Sequence, residues 1–242
     1  MAKKRITHHH GEEHVEEVSE RLNWLRAGVL GANDGIVSVA GTIIGVAGAT
    51  AETVAILVSG VAALAAGAFS MAGGEYVSVS TQRDTERALL AKEREELRTM
   101  PEEEFDELAG LYEERGVTPE VARLVARDLT AHDALRAHAD AELGIDPDAL
   151  TNPWAAAASS FVAFTLGALI PLLMMLLPLD HDGRVGVTVA AVAAALLLTG
   201  WVSAVLGGAP RVRAIVRNVG MGLLTMAVTY GVGMLFGTAV GA

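Results

Sequence analysis

The sequence predicts an all-α integral membrane protein: five transmembrane helices, plus a cytoplasmic three-helix acidic bundle between the second and third spans. Three observations carry this. The 242-residue chain is 52% hydrophobic and only 19% charged, with 26 glycines, a balance that suits a bilayer rather than a soluble core. Runs 53–74, 153–179, 185–209 and 218–242 contain no Asp, Glu, Lys or Arg, and run 25–50 is interrupted by Asn33 and Asp34, with Arg26 at its entrance. Each has the ~20 residues needed to cross a hydrocarbon core about 30 Å thick. The third observation is charge segregation: residues 83–152 hold 19 acidic residues against nine basic, a formal −10 of the chain's −11.

Taken in order, residues 1–23 form a polar cytoplasmic tail without the apolar core of a cleavable signal peptide, so the first span is expected to act as the targeting signal. The tail places His8, His9, His10 and His14 among Glu12, Glu13, Glu16 and Glu17. It reads either as a metal-capturing antenna or as an exposed amphipathic helix. Residues 24–82 carry the first two spans and 153–242 the last three. Five Lys or Arg precede the first span and three lie between the fourth and fifth, whereas only Arg184 falls between the third and fourth. The positive-inside rule therefore places the N-terminus and the insert in the cytoplasm and the C-terminus outside.

The insert, 83–152, shows recurrent helix signals. "TQRDTERALLAKEREELRTM" continues the second span as a helix. "TMPEEEFDELAGLYEERG" has Pro101 at its start, glutamates in the first turn and a stop at Gly116. "TPEVARLVARDLTAHDALRAHADAELG" starts at Thr118-Pro119 and ends at Gly144, with a break expected near Thr130. Pro171 and the glycines of the fifth span, Gly220, Gly222, Gly231, Gly233 and Gly237, are expected to supply kinks and close contacts.

Two groups of residues point to chemistry. Within the insert, Glu93 and Glu96 are three apart, Glu104 and Glu107 are three apart, and His138 and Glu142 are four apart, so each pair shares a helix face. Like charges at that spacing repel unless a cation neutralises them, and carboxylate pairs with an imidazole on neighbouring helices build metal sites in bundles. Such donors suit Fe²⁺, Mn²⁺, Co²⁺ or Zn²⁺. Acidic helix faces that are simply solvated are the plainer reading of any one of these glutamates.

The second group lies in the membrane. In "VLGANDGIVSVAG" Asp34 sits about ten residues into its span, where an ionisable group costs ~2.5–3.5 kcal/mol and marks a transport path. In "FSMAGGEYVSVS" Met71 and Glu75 share a face, and carboxylate with thioether favours a transition-metal ion. Packing for Met71, an interhelical hydrogen bond from Asp34 to a partner such as Asn218, and snorkelling for Glu75 are the competing structural roles.

"GANDGIVSVAG", "SMAGGEYVSVSTQRDTE", "KEREEL…PEEEFDEL" and "AVTYGVG" together resemble the vacuolar iron transporter family, over nearly the whole chain from about Arg21. The resemblance implies a homodimeric antiporter, not an enzyme, that exports Fe²⁺ and often Mn²⁺ in exchange for protons. It implies no permanently bound cofactor, the metal being substrate, with Zn²⁺ and Co²⁺ as further candidates. It implies that Asp34, Met71 and Glu75 form the transport pathway and that Glu93, Glu96, Glu104, Glu107 and Glu142 bind metal in the insert. The family's plant pattern has two methionines where this chain has His138 and Ala139, and His138 still offers a ligand. The alanine-rich, cysteine-free composition points to a prokaryotic plasma membrane, and the acidic balance to no nucleic-acid partner. The rival expectation is a membrane-anchored metal buffer or ferroxidase.

Overall fold

The structure, a computed structural model, describes residues 15–240, with side chains from 28 to 239. The tail histidines His8, His9, His10 and His14 lie outside the described side chains. The described residues form seven α-helices and one π-helical turn, and no strand. These are α1 (Val15–Ala49), α2 (Thr53–Thr99), α3 (Pro101–Glu114), α4 (Pro119–His138), the π-helical turn (Ala139–Leu143), α5 (Pro153–Met175), α6 (His181–Leu206) and α7 (Arg211–Val240). Five of them, α1, α2, α5, α6 and α7, are long and apolar enough to cross a membrane. The chain divides into two compact units, one of residues 1–75 and 154–242, the other of Tyr76–Pro153, and α2 contributes to both.

In the first unit α1 is the central helix. Its Ile36, Val39, Ala40, Ile43, Ile44 and Ala47 recur at helical spacing and are buried. They pack with Phe164, Ala168 and Leu172 of α5, Val192 and Leu196 of α6, and Met226 of α7. Lipid offers no hydrophobic drive for helices to associate, so close approach at small residues must supply the contact. The glycines do this pairwise. A Cβ on Gly35 would collide with the carbonyl oxygen of Phe164, and one on Gly167 with that of Ala32. A Cβ on Gly45 would lie 3.2 Å from Thr229, and Gly41 and Gly48 face Thr225 and Tyr230. Gly31 faces Ser160 where Gly35 faces Phe164, and Gly41 faces Thr225 where Gly45 faces Thr229, so numbers rise together along each pair of helices and α1, α5 and α7 run parallel. Gly60 faces Leu172 and Gly67 faces Phe164, whereas Gly200 faces Ile215 and Gly222 faces Leu196. Here numbers run oppositely, so α2 and α6 run against the other three, as five successive spans require.

Of the fifth-span glycines, Gly222, Gly233 and Gly237 sit at such contacts, while Gly220 and Gly231 have open space where a Cβ would go. Pro171 is accommodated inside α5 without ending it, and the helix stops four residues short of the apolar run, at Met175. The large apolar side chains Phe69, Leu166, Leu198 and Leu235 remain exposed on these helices, a surface suited to lipid.

In the second unit, Leu108 and Ala109 of α3 pack on Ala126 of α4 and Ala141 of the π-helical turn. Arg123 pairs with Asp106 at 2.9 Å across the α3–α4 contact. Pro101 starts α3 with Glu102, Glu103 and Glu104 in its first turn, where the helix dipole favours them. Gly116 and Gly144 follow the two helical stretches with φ of 92° and 63°, left-handed values that a side chain disfavours. The expected break near Thr130 falls instead at Asp133, whose φ of −160° and ψ of 97° interrupt α4. The reason is local capping: Asp133 Oδ1 accepts from the Arg136 N–H at 3.0 Å and starts a fresh turn.

Gly35→Ala should destabilise the protein by about 1–3 kcal/mol through overpacking against the Phe164 backbone. Gly73→Ala, in open space, should be neutral or mildly stabilising. Thermal unfolding of the two variants in detergent, followed by circular dichroism, checks the contrast.

A buried carboxylate–imidazole cluster and a membrane cleft

The second unit brings one buried cluster together. α2 supplies Glu93, α3 supplies Glu104 and α4 supplies His138, and they are 3%, 5% and 0% exposed. One ligand atom from each lies within 4.8 Å of the other two. His138 Nδ1 is 3.0 Å from Glu93 Oε1 and 3.6 Å from Glu104 Oε2. The short separation is not a hydrogen bond, because Nδ1, Nε2 and Glu93 Oε1 all lack a partner of the right geometry. Buried polar atoms left in this way cost ~1–3 kcal/mol each, more when charged, unless something fills the gap.

Local structure holds His138 in place. The Asp133 break sits one turn before it and the π-helical turn directly after it. Arg115 Nη2 donates to the Ala141 carbonyl at 2.5 Å, and Arg136 reaches Asp148 at 3.3 Å and Asp146 at 3.8 Å. Together these contacts anchor the segment that follows α4.

The remaining insert glutamates surround this centre electrostatically. Burial, then the charges of Glu142 and Glu104, push the Glu93 carboxyl up to about 7. Burial also raises Glu104, with Glu107, Glu96 and Glu142 adding to it. Burial lowers His138, opposed by the charges of Glu142 and Glu107. Glu93, Glu104 and His138 thus each feel the charge of at least two of the surrounding glutamates. Only these three are buried in the cluster: Glu107 and Glu142 are exposed, and Glu96 is half-buried and paired with Lys92 at 2.7 Å.

In the first unit, Asp34 and Met71 line one cleft of about 380 Å³ with Leu30, Asn33, Val37, Arg217, Asn218, Met221 and Thr225. Asp34 accepts a hydrogen bond from Ser38, one turn along α1, at 2.7 Å. Among the described residues Ser38, rather than Asn218, supplies the hydrogen bond to this carboxylate. Asn33 Oδ1 is buried without a partner. Glu75 is half-buried and is not among the lining residues. Sequence reasoning passed over Arg217, Met221 and Thr225. The signal was present, since 217, 221 and 225 repeat every four residues along one face of α7.

The family profile of the VIT family matches residues 25–234. The chain belongs to the VIT family. It is 45% identical over 225 residues to "Vacuolar iron transporter" of Acanthamoeba castellanii, covering 93% of this chain and 83% of that protein. It is 37% identical over 227 residues to "Vacuolar iron transporter homolog 3" of Arabidopsis thaliana, covering 94% and 90%. "Vacuolar iron transporter homolog 5" of Oryza sativa is 38% identical over 220 residues, covering 91% and 84%. With five candidate spans and this membership, the VIT-family chain is an integral membrane protein.

The raised Glu93 pKa has a consequence for stability. A carboxyl lifted from 4.5 to about 7 by folding contributes stability that is complete below about 4.5 and lost as pH rises through about 7. Glu93→Gln removes this ionisation. The chelator-treated variant should match wild type near pH 4 and exceed it near pH 8 by on the order of 2 kcal/mol. Denaturant unfolding at the two pH values measures the difference.

Proposed function

We propose that this VIT-family chain exports Fe²⁺, and also Mn²⁺, from the cytoplasm across the membrane in exchange for protons. The observation that carries the reading is the convergence of Asp34 and Met71, from two different apolar helices, on one cleft. A carboxylate and a thioether there supply hard and softer ligands together, and the unpartnered Asn33 Oδ1 offers a neutral oxygen. Transport of metal is also what the names of the relatives describe for those proteins.

In this scheme residues 83–152 form a cytoplasmic acidic unit that collects the ion. Glu93, Glu104 and His138 hold it, while Glu96, Glu107 and Glu142 raise its local concentration. Glu75 passes it from the cytoplasmic end of the second span towards Asp34 and Met71. Protonation from the far side then releases it, because a carboxylate must lose its proton to ligate. Two chains, apposed at their first helices, complete the transporter, with the N-terminus inside and the C-terminus outside.

The buried cluster also favours a second reading, a metal buffer or ferroxidase anchored by inert helices. Proteoliposomes with a pH gradient separate the two, since only transport moves redox-silent Zn²⁺ or Co²⁺ across the bilayer.

Asp34→Asn should reduce metal flux to the level of empty liposomes while the protein still purifies as folded material. Wild-type flux in that variant removes Asp34 from the pathway. His138→Ala should raise the half-saturating metal concentration roughly tenfold, about 1.4 kcal/mol, with flux recovering at high metal. An unchanged concentration dependence would show that the buried cluster does not deliver the ion.

A further inference from the structure

We propose that Arg217 is a tethered cation of the transport cleft, neutralising Asp34 when no metal is bound and giving way to an incoming divalent ion. The proposal rests on the pathway reading above and adds a residue and a selectivity rule to it.

Arg217 and Asp34 line the same cleft, with Asn33, Asn218, Met71 and Met221 between the two helices and α2. The glycine contacts fix their relative height. Gly41 faces Thr225 and Gly45 faces Thr229, so in the parallel α1–α7 pair the level of Asp34 corresponds to about residue 218. Arg217, exposed in the second turn of α7, therefore lies level with Asp34 along the helix pair. Asp34 takes its hydrogen bond from Ser38, and Arg217 lines the same cleft without a direct ion pair to it.

The chemistry of the pair differs from that of two titrating groups. A guanidinium keeps its charge at every physiological pH, so the cleft has a permanent positive counterpart to its carboxylate. With the ion absent, the two charges cancel, which lowers the cost of holding a carboxylate among apolar spans. A monovalent cation entering this neutral cleft gains no net attraction. A divalent transition metal gains twice the attraction to Asp34, and also ligands that a guanidinium cannot use: the Met71 and Met221 thioethers and the Asn33 carbonyl oxygen. The displaced arginine has a long aliphatic stem along which its head can retreat towards water. Arg217 thereby sets both the occupancy of the empty cleft and its preference for charge two over charge one.

The test is Mn²⁺ flux into proteoliposomes by the full-length protein, with wild type, Arg217→Gln, Arg217→Met, Arg217→Lys and Asp34→Asn in one series. Removing the positive charge should lower the half-saturating Mn²⁺ concentration roughly tenfold and reduce maximal flux, because the ion binds tighter and the emptied carboxylate is left uncompensated. Excess Na⁺ should inhibit the Gln and Met variants and leave wild type unaffected. Arg217→Met keeps the aliphatic stem, so agreement between Gln and Met assigns the effect to charge. Arg217→Lys should restore wild-type half-saturation and Na⁺ indifference. With Asp34→Asn inactive, neutral variants that keep wild-type half-saturation and Na⁺ indifference overturn the role of Arg217 alone, as does a Lys variant that behaves like Gln. Wild-type flux in Asp34→Asn overturns the pathway reading, and the tethered cation falls with it.

Discussion

Close backbone approach around α1 is the constraint on which the membrane unit depends. Inside a bilayer, apolar side chains gain nothing by leaving lipid for protein, so helices hold together through packing at small residues. Gly35 against Phe164, Gly167 against Ala32 and Gly45 against Thr229 bring α5 and α7 to α1 from either side. Those contacts set the helix register. Register decides that Asp34, in the middle of α1, lines a cleft together with Met71 and Arg217.

The second unit solves the opposite problem. Most of its charge stands in solvent, yet it buries Glu93, Glu104 and His138 with polar atoms unpaired. Burial of this kind lowers stability, and the elevated Glu93 carboxyl records it. The surrounding structure supports the arrangement through a helix break at Asp133, a π-helical turn and the Arg115 and Arg136 contacts. Under the proposed function, a cation held there would regain that stability as affinity, since it would relieve both the repulsion and the unpaired atoms.

Much of this was legible along the chain. Four of the five spans follow from uninterrupted apolar runs and the first from a run broken only at Asn33 and Asp34, because a bilayer demands length and polarity that a string of residues displays directly. The ends at Gly116 and Gly144 follow from the positive φ that glycine accepts. Helical spacing placed Glu93 with Glu96, and Glu104 with Glu107, on shared faces. It could not say that Glu93 and Glu104 would turn inward while Glu107 remained exposed. Likewise the sequence pattern marked a break in α4 but not its position, which a single side-chain cap at Asp133 decided.

By itself, then, the sequence determined the helical class, the number of spans and the identity of the ionisable residues that lipid would not tolerate without purpose. Those properties are local: they depend on how many apolar residues follow one another and which residue types interrupt them. Only the tertiary structure decided which of these residues meet. Asp34 joins Met71 and Arg217, and His138 closes on Glu93 and Glu104, because helix register and helix breaks bring together segments that lie far apart in the chain. Glu75, one turn from Met71 on the same helix, is left outside the cleft for the same reason: sharing a face is a property of one helix, while lining a cavity is a property of several.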